Sequence, residues 1–496
     1  SKRSPAMSRS HPMPYRILWT WDSWVCDPFS ADSYVAEYRE LIDFAARTGY
    51  NGIIIWGFVD GRHGGIETAR QVAEYGLRQG LRILPGVGAG GYHGYTITPG
   101  LPYHLEDLLR EKPHLRAQIR GSHRVVDHAG CLYQQEFQEW LREGAEWLAA
   151  TFPIGGVNIE TNEMDWICDC PLAAEATRQE PNRLKYANSY SDLAIAVPII
   201  FQEIRRKHPD AWVTYATYEP AWFRRMEDIW LLDRLPREAI AQWNMELDCD
   251  ASVPPPVPEN ISLIHSGGWS YHLDAFPPTW TFTQYRCFWP LLKQARQFGA
   301  NQRAMGVQGL VLGCVGSAAM PDNEANYIAY LEFARDPDMD FETFAAEHLA
   351  PLYGEPAAPL VLRLMIAQEE LHPKLAPVWS GWAWFLREGF PSRRLLAAEE
   401  SVLKEWEDQL ALARRAREAA SPEGARRLDV IMQLLDEYLR IGRFSRTGAA
   451  AAMIQDQERL RDNPDEAAAA SMQLVADLEL PEEIYGPRRN SGGDPG

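Results

Sequence analysis

Apolar positions in the first two thirds of the chain fall into short runs, separated by stretches of helical periodicity. "YRILWTWD" (15–22) precedes 31–48, where Tyr34, Tyr38, Leu41, Ile42 and Ala45 line one helical face. "GIIIWGFVD" (52–60) precedes a helix-like 66–80, and "LRILPGVGAG" (81–90) leads through a Gly/Tyr/His-rich loop to a helix over 134–151. "GGVNIETNE" (155–163) is followed by a helix over 183–208, and "AWVTYATYEP" (211–220) by a helical 221–235. "AIAQWNMELD" (239–248) runs into the proline-rich "VPPPVPEN". "ISLIHSGGWS" (261–270) precedes a helical 284–298, and "GLVLGCVGS" (309–317) precedes "AAMPDNEANYIAYLEF".

Apolar strands alternating with helices predict an α/β protein with a parallel sheet covered by helices. Eight such units in about 310 residues predict a (β/α)8 TIM barrel with long βα loops. The proline-rich stretch after the sixth strand departs from this pattern, because a helix is expected there. An open, doubly wound sheet is the alternative, but no glycine-rich phosphate fingerprint follows the first strand. From about residue 335 the composition shifts to Ala, Glu, Leu and Arg, and 398–420 and 425–446 read as long amphipathic helices. The predicted organisation is a flexible tail at 1–13, a barrel at 14–335, an α-helical domain at 336–485 and a disordered tail at 486–496. The helical domain is also a candidate surface for a homodimer.

Composition narrows the function. A hydrophobic share of 46% with 24% charged residues is ordinary for a globular protein. The net charge of −19 argues against nucleic acid as a partner. No run of about 18 apolar residues is present, so no membrane span is expected. The first residues, SKRSPAMSRSHPMP, contain no apolar core of a secretory leader, and compartment is left open. The 7 cysteines show no disulfide framework. Cys168-Asp-Cys170 is their one close pair, and no further ligand is evident beside it, so neither metal nor cofactor is expected.

In a TIM barrel the active site forms at the C-terminal ends of the strands. The predicted ends carry polar groups throughout, while the strand interiors read as apolar. Asp22 ends the first strand. Asp60 ends the second and continues into "GRHGG" with Arg62 and His63, and His93 follows the third. Arg120, His123, Arg124, Asp127 and His128 precede the fourth, which ends with Glu160 and Glu163. Glu219 follows the fifth strand, Glu246 and Asp248 the sixth, His265 and Trp269 lie on the seventh, and Asp322, Asn323, Glu324 and Asn326 follow the eighth.

Carboxylates, histidines and tryptophans around one mouth suit glycoside hydrolysis, which needs an acid for the leaving oxygen and either a base for water or a nucleophile. Trp21, Trp56, Trp243 and Trp269 are candidate stacking walls for a sugar, or core. Glu160 and Glu163, three apart, cannot both face inward on a regular strand. Glu160 is either catalytic or a structural carboxylate. Arg62 either holds a sugar carboxylate as a bidentate fork or pairs with Asp60 or Asp22. His63, His93, Arg124 and His128 are further candidates for the site. Asn323 either binds sugar hydroxyls or caps the helix that follows it.

The chain resembles (β/α)8 exo-glycosidases with C-terminal helical domains, a layout shared by α-glucuronidases and β-hexosaminidases. The β-hexosaminidase Asp-Glu pair is replaced here by "ETNE". The aspartate ending strand one, the Arg/His loop before strand four and the Asn of the last loop look like the inverting sialidases of glycoside hydrolase family 156. That resemblance implies a base role for Asp22, an acid role for His128, and substrate binding by Arg124 and Asn323. Glu160, Glu163 and Glu246 are rival acids. The expected function is an exo-acting glycoside hydrolase that removes a terminal acidic sugar, sialic acid by this resemblance, from a glycan with inversion. The alternatives are an α-glucuronidase-like hydrolase, with a strand-four glutamate as acid and Glu246 as base, and a non-catalytic carbohydrate-binding barrel.

Overall fold

The structure is a computed structural model that describes residues 13–22, 30–118, 125–160, 168, 170–179, 190–216, 235–243, 262–267, 288–313, 323–391 and 393–482. Eight parallel strands close into a barrel. In chain order they are β1 (Tyr15–Trp21), β2 (Gly52–Trp56), β3 (Arg82–Gly88), β6 (Gly156–Glu160), β7 (Trp212–Ala216), β8 (Ile240–Trp243), β9 (Ser262–Gly267) and β10 (Gly309–Gly313). β1 pairs with both β2 and β10, which closes the ring. All eight predicted strands are present, and each begins within one residue of its expected start. The connection from β3 to β6 carries a short antiparallel hairpin, β4 (Arg116–Gln118) and β5 (Val125–Gly130), that the hydrophobic pattern did not predict. A three-residue strand in a run as polar as "LRAQIR" has no alternation long enough to read.

The helices of this part follow from local chemistry. α1 (Ala31–Thr48) opens with a reciprocal Ser30–Ser33 capping box and ends at Gly49 in the left-handed conformation. α2 (Gly65–Arg78), α3 (Leu105–Glu111), α4 (Gln135–Thr151), α5 (Pro171–Gln179) and α6 (Tyr190–Lys207) follow. Inside the barrel Ile17, Trp19, Ile54, Trp56, Leu84, Ile240 and Val311 form a buried cluster, with Tyr15, Trp21, Tyr92 and Trp212 packed on it. The strand interiors are not wholly apolar, a correction to the sequence reading. Asn158, Thr214 and Gln242 are buried on β6, β7 and β8.

The chain divides into two compact units: residues 1–270 with 300–316, and residues 271–299 with 317–496. The second is helical and has its own aromatic core of Trp289, Trp379, Trp406 and Tyr438. Its long members are α9 (Ala358–Glu388), α10 (Glu400–Ala419) and α11 (Pro422–Phe444), which follow α7 (Leu292–Met305) and α8 (Glu324–Arg335). α7 begins eight residues later than its predicted start at 284. The carboxylate of Glu369 accepts the backbone N–H groups of Lys293 and Gln294 at 2.9 and 3.0 Å, so its N-terminus is capped from another helix, which local sequence does not reveal. Among the described residues no helix is long and apolar enough to cross a membrane.

Candidate active site

Trp21, Trp56 and Glu160 are the last residues of β1, β2 and β6, so all three stand at the C-terminal end of the barrel. Glu160 is buried, and its Oε1 accepts three hydrogen bonds: from Asn158 Nδ2 at 2.7 Å, Trp19 Nε1 at 3.1 Å and Trp56 Nε1 at 3.2 Å. Indole and amide N–H groups only donate, so this oxygen is held as an acceptor from three directions. Asn158 is oriented in turn, because its Oδ1 accepts the Thr214 hydroxyl at 2.7 Å and the side-chain N–H of Gln242. Gln242 Nε2 also donates to Thr214 Oγ1 at 3.1 Å. The donors therefore run one way, from β8 through Asn158 to the Glu160 carboxylate.

An aromatic wall adjoins this carboxylate. Trp21 stacks on Trp56 at 5.6 Å and 18°, and Tyr92 meets Trp56 edge-on at 5.5 Å. Tyr92 reaches this position through a strained turn in which Tyr92 and His93 both have positive φ, 48° and 63°. Left-handed geometry costs a non-glycine residue about 1–3 kcal/mol and persists where surrounding structure over-determines it. His93 Nδ1 pairs with Glu106 Oε1 at 2.7 Å, and its ring stacks on His104. His104 pairs with the same carboxylate at 3.2 Å. His93, His104 and Glu106 have the spacing of a metal triad, but each contact is already explained by a histidine–carboxylate pair.

Asp22 lies one residue beyond β1 in a different environment. Trp19 and Trp21 join the interior cluster, whereas the intervening Thr20 bonds Tyr38 of α1 at 3.0 Å. Asp22 is wholly buried beside His63, whose Nε2 stands 3.4 Å from Oδ2 and 2.9 Å from the carbonyl of Gly57. With two acceptors before it, Nε2 carries the ring proton. The other ring nitrogen faces the Thr68 hydroxyl at 3.3 Å, and Tyr34 stacks on the imidazole at 3.6 Å. Burial raises the Asp22 pKa to about 6, against the opposing hydrogen bond and charge of His63. Gly57, at φ +73°, makes room for this carboxyl, because a Cβ there would stand 2.2 Å from it.

The next turn is braced separately. Asp60 caps residues 61–63, and its Oδ2 takes Arg62 Nε and Nη2 at 2.8 and 2.5 Å. Its Oδ1 accepts the Thr98 hydroxyl at 2.7 Å and the Arg62 backbone N–H at 2.8 Å. Burial pushes the Asp60 pKa up, but the hydrogen bonds of Arg62 and Thr98 outweigh it and hold the carboxyl below its ordinary value. Of the two readings of Arg62, this geometry is the Asp60 ion pair.

His128 is exposed on β5, next to Asp127, which pairs with Arg116 at 2.9 Å. Asn323 belongs to the second unit, where it precedes α8 without a side-chain cap; its Oδ1 instead accepts Asn326 Nδ2 at 2.8 Å. Trp243 ends β8. Arg124, Glu163, Glu246 and Trp269 lie outside the described residues. Sequence reasoning missed Asn158, Thr214 and Gln242, and the signal was there: an internal polar residue interrupts each of "GVNIE", "WVTYA" and "IAQW".

No family model matches this sequence, and no curated protein matches it. Among solved structures it is similar to a β-N-acetylhexosaminidase from Bacteroides fragilis, with 15% identity, 68% of this chain, 70% of that chain and a TM-score of 0.44. It is also similar to a chitobiase from Flavobacterium johnsoniae, with 11% identity, 96% of this chain, 74% of that chain and a TM-score of 0.46. The catalytic domain of a β-amylase from Paenibacillus polymyxa matches at 9% identity over 66% of this chain and 100% of that chain, with a TM-score of 0.41. The barrel itself rests on the closed pairing of its eight strands, and the chain is a TIM barrel with a C-terminal helical region.

Proposed function

We propose that this chain is a glycoside hydrolase acting on a terminal sugar, with Glu160 as the carboxylate at the reacting centre. The observation that carries this reading is the convergence of Trp19, Trp56 and Asn158 on Glu160 Oε1 at the C-terminal end of the barrel. A fixed carboxylate in a water-poor site stabilises the positive charge that develops on a sugar ring as its glycosidic bond breaks. The Trp21–Trp56 stack supplies a flat apolar surface for a sugar face. Asp22 and His63 enter as a buried pair that fixes the turn after β2. Glu163, Glu246 and His128 are the candidates for the second catalytic group.

A terminal acidic sugar, sialic acid with inversion, is the finer form of this reading, and Arg62 and Arg124 are its support by residue type. Because Asp60 engages Arg62, neutral sugars belong in the same assay. The test is a chromogenic panel of sialosides, uronides, N-acetylhexosaminides and simple hexosides, with NMR detection of the first-formed anomer. Preferential turnover of one class is expected, and Glu160→Gln should fold normally yet lose at least about a hundredfold in rate. Saturable sugar binding with no product from any glycoside would replace the hydrolase with a carbohydrate-binding barrel.

A further inference from the structure

Folding brings a third cysteine to the pair that the sequence left alone. Cys131, just beyond β5, meets Cys168 and Cys170, and the three sulfurs lie within 4.8 Å of one another. Cys131 and Cys170 are separated by 3.4 Å, far beyond a disulfide bond, and all three are free thiols. Around a tetrahedral zinc ion with Zn–S distances of about 2.3 Å, neighbouring sulfurs stand about 3.8 Å apart. These sulfurs are near that spacing already.

Backbone N–H donors reach all three sulfurs. Cys168 Sγ accepts the backbone N–H of Gln118 at 3.5 Å, and the amide of Cys170 also donates to it. The amides of Tyr133 and Ala173 donate to Cys131 and Cys170 respectively. Each sulfur is thus an acceptor of at least one backbone N–H, the outer-layer bonding that orients metal ligands. The shell is buried and lined by Ala117, Val126, Ala129 and Ala173, with Tyr133 packed against it.

We propose that Cys131, Cys168 and Cys170 bind a zinc ion that clips the β4–β5 hairpin to the start of α5. Soft thiolates select zinc over magnesium or calcium. The clip would fasten the hairpin carrying His128 to the chain that follows Glu160. Binding releases the thiol protons to solvent and changes no oxidation state.

The test uses the full chain, purified reduced and stripped with a chelator, then titrated with cobalt(II). One equivalent should bind, with the near-ultraviolet sulfur-to-cobalt absorption of a thiolate site, and zinc should displace it. Cys131→Ser, Cys168→Ser and Cys170→Ser should each lose that absorption in proportion to the thiolate removed. Should one variant fold poorly, the wild-type titration still decides. Absence of the cobalt band in the fully reduced wild-type chain overturns the proposal. So does a band of undiminished intensity in all three variants, or peptide mapping that finds Cys131 and Cys170 joined as a disulfide in the protein as isolated.

Discussion

Oε1 of Glu160 and the indole nitrogen of Trp56 stand 3.2 Å apart, although 104 residues separate them in the chain. Trp19 meets the same oxygen from 141 residues away. One acceptor thereby ties β1 and β2 to β6. Trp56→Phe keeps most of the ring and removes the donor. A hydrogen bond to a charged group is worth about 1.5–3 kcal/mol, so urea unfolding should show a loss on that scale. A Phe variant as stable as wild type would mean that the Trp56 bond contributes nothing.

The Asp22 carboxyl ties stability to pH. Its folded pKa, about 6, lies above the ordinary value of 3.8, so between these values the native state holds a proton that the unfolded chain has lost. Stability from this group is therefore fully present below pH 3.8 and is lost as pH rises through about 6. The difference corresponds to about 3 kcal/mol at 1.36 kcal/mol per unit. Asp22→Asn cannot ionise, so its stability relative to wild type should improve by that order between pH 4 and pH 7. A constant difference between the two proteins across that range would contradict the assignment.

Gly57→Ala brings a methyl group against the Asp22 carboxyl and places alanine at φ +73°. The left-handed geometry alone costs about 1–3 kcal/mol, and the clash adds to it. In an Asp22→Ala background the clash disappears while the backbone penalty stays, so the double variant should lose less stability than the two single variants summed. Additive effects would show that Asp22 is not the obstacle.

Arg62→Gln separates a brace from a substrate contact. With Nε and Nη2 on Asp60, the substitution should loosen the turn and lower kcat/KM by a similar factor on acidic and neutral glycosides. A loss confined to sialosides or uronides would instead put Arg62 on the sugar carboxylate.

The barrel was legible because eight apolar runs, bounded by turn residues and separated by amphipathic stretches, state the alternation directly. The place of Glu160 at a strand end was legible for the same reason. Its donors were not, since the pairing of Trp19 and Trp56 with one oxygen depends on side-chain directions across three strands. Cys131 escaped because it lies 39 residues from Cys170, beyond any ligand spacing that a linear reading examines. Asn323 shows the opposite failure. A residue of favoured capping type precedes a helix, yet its side chain bonds Asn326 in place of the backbone.

The one-way run of donors from Gln242 through Asn158 to Glu160 makes the site a gauge of its own scaffold. The carboxylate keeps its orientation only while β6, β7 and β8 hold their register, because each amide is aligned by a neighbour on the next strand. A slip of any of these strands would turn an N–H away from Glu160 before the barrel as a whole came apart. In a denaturant titration, activity should therefore fade ahead of the loss of far-ultraviolet ellipticity, so that the chemistry serves as the more sensitive readout of barrel integrity.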